Sequence, residues 1–172
     1  MRFLQPDLMT SLQPAAWHDL FVAIAGAAAA LTGLLFVAVS INLKQILDIP
    51  SLPTRAAETL SVVLGLLLLS VFMLVPGQSQ AVLGTEILAL GLVIAAILLT
   101  RRLRLPRGQD DPLIWTVTPI AVIVAATVPM VAAGISVLAG AGGGLYWLVA
   151  AVILGFVGAI LNAWILLVEI VR

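Results

Sequence analysis

The chain has 172 residues, of which 63% are hydrophobic and 9% charged, and its mean hydropathy is +1.24. Eight Lys+Arg balance eight Asp+Glu, which excludes the basic footprint of a nucleic-acid binder and a polyacidic tail. The absence of cysteine removes any disulfide framework, thiolate nucleophile or Cys-bearing metal site, and the composition is that of a bilayer protein.

Charge-free gaps set the expected elements, because a helix crossing about 30 Å of hydrocarbon needs about 20 mostly apolar residues. Residues 1–16 hold one Arg and one Asp and are expected to form an interfacial segment ahead of one transmembrane domain covering 17–172. The first gap, Leu20 to Leu43, is longer than a signal-peptide core and lacks its basic flank, so a retained span is expected over 17–44. It offers small-residue pairs at Gly26-xxx-Ala30 and Ala29-xxx-Gly33, which let helix backbones approach in lipid. His18 heads a stripe with Ala25, Ala29, Thr32, Phe36 and Ser40, which lie within about 40° of it on a helical wheel.

The second span is expected over 55–75. Arg55 and Glu58 are three residues apart, where they can pair on one helical face, and the helix N-terminus favours the carboxylate. The alternative is a polar inner vestibule in which Glu58 faces Ser40 and Asn42 across a short hairpin. The third span, 80–100, places Glu86 at the head of a face running through Ala89, Val93, Ala96 and Thr100. With His18 and Asp19 at the mouth of the first span, Glu86 makes a candidate outer polar site suited to a proton or cation. Thr32, Ala89, Ala96 and Thr100 are the candidate lining of a path between the two ends. The alternative places Glu86 in water at headgroup depth and His18 at an interface.

The basic loop Arg101, Arg102, Arg104 and Arg107 reads as a topology determinant that also meets anionic lipid. Residues Pro112 to Val168 carry no charge over 57 positions and must hold two spans, 113–139 and 145–169, divided at the glycine-rich run 140–144. Pro119 and Pro129 each remove a backbone donor from the fourth span, with Thr116, Thr118 and Thr127 near enough to satisfy carbonyls. The fifth carries Ala151-xxx-Gly155-xxx-Ala159, and Gly158 and Asn162 one turn apart, as helix-packing residues. These small-residue faces serve either as subunit interfaces or as ordinary contacts within one bundle.

Counting Lys and Arg on alternate loops puts seven on one side and only Arg2 on the other, which predicts an outside N-terminus and an inside C-terminus. Trp17, Tyr146 and Trp147 then fall at the outer interface, Trp115 and Trp164 toward the inner one. Enzyme chemistry is not expected. One histidine cannot make a bis-histidine haem site, the single lysine stands at a boundary, and no hydrolase, zincin or P-loop motif occurs. No cofactor and no metal site is expected.

Gly33-Leu-Leu-Phe-Val-Ala-Val-Ser-Ile-Asn-Leu43, followed by Leu52-Pro-Thr-Arg-Ala-Ala-Glu-Thr-Leu60, resembles a group of small bacterial membrane proteins of similar length, over most of the chain. Some of that group carry labels suggesting modulation of a membrane-bound AAA protease; the seven-span pattern of the better-known modulators is not present here. The resemblance implies no catalytic or binding residues. The sequence thus predicts an all-α, five-helix bundle in the inner membrane. Its expected function is a homo-oligomeric channel or small transport protein for an ion or proton, the alternative being a non-conducting accessory subunit of a larger membrane complex. Expected partners are the lipid bilayer, further copies of the chain or another membrane protein, and no nucleic acid.

Overall fold

The computed structural model describes residues 12–49, 52–103 and 113–171, with side chains except those of 102, 113–122 and 165–171. Every regular element among them is helical: a 3₁₀ turn Pro14–Trp17, then α1 His18–Ile41, α2 Leu43–Asp48, α3 Leu52–Leu74, α4 Gln80–Leu103, α5 Leu113–Ala139 and α6 Tyr146–Val171. Among the described residues four helical stretches are long and apolar enough to cross a membrane: Pro14–Ile41, Leu52–Leu74, Gln80–Arg101 and Tyr146–Trp164. A shorter apolar stretch, Ile123–Ala139, belongs to α5.

The helix ends have local causes. Asn42 leaves helical geometry at φ −102° and ψ 17°, and its side-chain amide donates to the Ala38 carbonyl at 2.9 Å. The same carbonyl also accepts the Asn42 backbone N–H at 3.3 Å, so Asn42 holds the last turn of α1 with two bonds. The single expected segment 17–44 is therefore two helices, with Lys44 on the short α2. Pro53 stands in the first turn of α3, where a missing N–H costs nothing. Between α3 and α4 the chain turns through Pro76 and Gly77 at φ 71°, and the Ser79 hydroxyl accepts from the Val82 N–H, capping α4. The α5–α6 turn uses positive φ at Gly140, Gly142, Gly143 and Gly144, a backbone most side chains resist.

Helices α3, α4, α5 and α6 close a ring in which each packs on the next and α6 returns to α3. Its interior is filled by Leu66, Leu69, Met73, Leu83, Ile87, Met130 and Leu148. α1 lies outside this ring with α3 as its principal neighbour, burying Phe21, Ile24, Ala28 and Leu35. A satellite cluster of Ile46, Leu52 and Ala56 ties α2 to the start of α3.

Helix α5 comes close to the backbone of α4. A Cβ built on Gly134 would fall 2.7–2.8 Å from the backbone N, Cα and Cβ of Leu88, and one on Gly84 would fall 2.8 Å from Leu138 Cγ. Small residues thus set the helix separation where lipid supplies no hydrophobic drive.

Candidate functional site

At the end of the bundle where α1 and α6 begin, Trp17 and Tyr146 meet edge to face, with ring centroids 4.8 Å apart and an 80° interplanar angle. This pairing holds the start of α1 to the start of α6, in a geometry aromatic quadrupoles favour. Nearby, Ser136 accepts from the Gly144 N–H at 2.7 Å and donates to the Ala141 carbonyl. Trp147 donates to the Gly142 carbonyl at 2.8 Å, and Gln80 reaches across to the Val137 carbonyl at 2.6 Å. The glycine turn is therefore pinned by Ser136 and Trp147, while Gln80 ties α4 to the last turn of α5.

A cleft of about 390 Å³ opens at the same end, lined by Pro14, Ala15, His18 and residues 73–78. His18 and Asp19 are both exposed, and only His18 lines the cleft. Glu86 is half-buried and accepts a 2.9 Å hydrogen bond from the Gln78 amide. The structure thus brings His18 and Gln78 to one cleft and links Glu86 to it through Gln78. Sequence reasoning passed over Gln78 because a polar residue in a Pro-Gly turn looks like ordinary loop composition; its spacing of eight from Glu86 was the available signal.

At the other end, Glu58 is 3% exposed and Arg55 is 9% exposed. Each takes part in a polar interaction, and Thr59 donates to the Arg55 carbonyl at 2.9 Å. Ser40 is exposed and donates to the Phe36 carbonyl, and Asn42 donates to that of Ala38. Both hydrogen bonds thus return to carbonyls of α1, and Asn42 keeps one amide hydrogen besides. Arg101 is exposed; Arg104 and Arg107, and the side chain of Arg102, lie outside the described residues, as do the side chains of Trp115, Thr116, Thr118 and Pro119.

The expected path lining faces outward. Ala89, Val93, Ala96 and Thr100 are exposed on α4, the Thr100 hydroxyl turned back onto the Ala96 carbonyl. Thr32 is half-buried and donates to the Ala28 carbonyl. The buried hydroxyls of Ser70 and Thr127 likewise bond to their own helices, at Leu66 and Ile123. Thr127 does not serve the Ala125 carbonyl, the one whose donor Pro129 removes. Within one copy, the two stripes can line a path only where another chain covers them.

The two small-residue faces have different fates. Ala151, Gly155, Gly158 and Ala159 are buried, and a Cβ on Gly155 would lie 3.2 Å from Leu66 of α3. The α6 face is thus a contact inside the bundle, and Asn162 beside it is half-buried. On α1, Ala23, Gly26, Ala27, Ala30 and Gly33 are exposed, and a Cβ on Gly26 or Gly33 would meet nothing within 4 Å. Opposite its seam with α3, α1 carries a shallow, smooth surface. No family model, no curated protein and no solved structure matches this chain.

Proposed function

We propose that this protein is a five-span inner-membrane subunit, N-terminus outside, that docks onto another transmembrane helix through the outward face of α1 and serves a larger complex without conducting. The observation that carries this reading is the open Ala23–Gly33 surface, with no Cβ neighbour near Gly26 or Gly33. Lipid tails gain little by covering such a surface, whereas a second helix approaches its backbone closely and gains dispersion contacts along its length. The apolar filling of the four-helix ring supports the non-conducting part, since conduction needs polar or wettable lining.

A photo-crosslinking amino acid at Ala30, in native membranes, tests the reading. Adducts carrying a foreign polypeptide are expected. Adducts with lipid alone overturn docking.

A homo-oligomeric ion or proton channel is the second reading, favoured by the exposed polar stripes of α1 and α4, which several copies around one axis would bring together. Under it, Ala30 adducts have twice the 18.0 kDa chain mass and the reconstituted protein passes ions.

A further inference from the structure

A second face of α1 points to a different occupant. Between α1, α2 and α6 runs a groove of about 340 Å³, walled by Leu31, Leu34 and Ala38 of α1, Ile46 of α2, and Ile160 and Trp164 of α6. From Leu31 to Asn42 it follows about 16 Å of helix, at about 1.5 Å per residue. That is about half of a 30 Å hydrocarbon core, the depth of one leaflet. Its walls are apolar until the end, where Asn42 lines it and the exposed Lys44 follows on α2.

We infer that this groove holds one acyl chain of a membrane phospholipid, with the phosphate at the Asn42 and Lys44 end. The inference rests on the membrane reading of the chain but not on the docking face of α1, which lies on another side of that helix. The walls decide against a helix of a second copy, because bulky Leu, Ile and Trp side chains hold a helix axis away, unlike the Gly and Ala face. A flexible chain suits the space, since it can follow an uneven apolar groove about 16 Å long.

The polar end matches as well. Asn42 spends one amide hydrogen on Ala38 and keeps a second donor. Lys44 supplies a charge able to extend to the headgroup level, and Trp164 at the rim is the kind of ring that settles at a membrane interface. Asp48 closes α2 and leaves that helix with no net charge, so recognition is of the phosphate and not of a net negative headgroup.

The test is fluorescence of the full chain in nanodiscs of digalactosyldiacylglycerol, a bilayer lipid without phosphate, titrated with phosphatidylglycerol brominated on one acyl chain. A saturable quenching component is expected in the wild type and absent in Trp164→Phe. Ala163→Leu, which fills the groove, should abolish it. Lys44→Gln, on an exposed position with little bearing on folding, should raise the lipid needed for half-quenching about tenfold, the effect of losing one charge-assisted bond. Unbrominated phosphatidylethanolamine should compete as well as phosphatidylglycerol. Quenching that rises linearly with brominated lipid and is unchanged by Lys44→Gln overturns the inference. Absence of quenching at every tryptophan would instead mean that the chain does not enter the bilayer, which sinks the membrane reading itself.

Discussion

Gly134→Ala is the sharpest test of the packing described above. The new methyl would stand 2.7–2.8 Å from Leu88 N, Cα and Cβ, where ordinary contact begins at 3.4 Å. All three atoms belong to the wall of α4, so no rotamer change relieves the clash and the helices must separate. Separation loosens the rest of the seam, including Gly84 against Leu138 and Gly91 against Val131. Overpacking of this kind costs about 1–3 kcal/mol, and replacing a mid-helix glycine by alanine returns up to about 1 kcal/mol. The expected net is a loss of about 1–2 kcal/mol. Gly33→Ala is the matched control: its methyl meets open space, only the propensity gain remains, and stability should hold or rise. Equilibrium unfolding in mixed micelles of increasing dodecyl sulfate content, followed by far-UV circular dichroism, measures both. If Gly134→Ala unfolds no earlier than the wild type, or the two variants shift alike, close α4–α5 packing through Gly134 does not hold.

Further outcomes follow from the turn, the topology and the cleft beside His18. Ser136→Ala removes the group that joins the Gly144 N–H to the Ala141 carbonyl and should cost about 1–3 kcal/mol in the same unfolding assay; an unchanged midpoint would show that the turn holds without it. Because the chain has no cysteine, Gly142→Cys and Arg101→Cys report sidedness directly: an impermeant maleimide should label Gly142→Cys in intact cells and Arg101→Cys only after permeabilisation, and the reverse pattern inverts the proposed orientation. Glu86→Gln retains an acceptor for Gln78 and should fold normally. Under the non-conducting reading, proteoliposomes of the wild type and of this variant leak ions no faster than empty vesicles.

Element type and helix positions were legible because charges and turn residues punctuate an otherwise apolar chain. The Gly140–Gly144 run divides α5 from α6, and four of its residues need the left-handed backbone only glycine supplies readily. The break at Asn42 was not legible: apolar residues flank it on both sides, and the end of α1 shows only in the Asn42 backbone angles and its side-chain bond to Ala38.

Sidedness within the bundle was harder still. In water, an apolar stripe names the buried face of a helix. In lipid, the outward face is as apolar as the core, so Ala89, Val93 and Ala96 gave no sign that they face away from the bundle. The same equivalence hid the contrast between Gly155, pressed near Leu66, and Gly26, which stands in the open. Gly84 and Gly134 drew no attention from sequence because neither has a small residue four positions away on its own helix; their partners are on the neighbouring helix.

The place of α1 outside the ring has a consequence for biosynthesis. Among the described helices it leaves the ribosome first, and its main intramolecular partner, α3, ends only at Leu74. At roughly 5–20 residues per second, synthesis from Ile41 to Leu74 occupies about 2–7 s. Throughout that interval the seam of α1 for α3 is unoccupied, and so is its glycine face. Under the docking reading, a partner helix recognising that face would meet α1 on nascent chains, and assembly would start before this protein has finished folding.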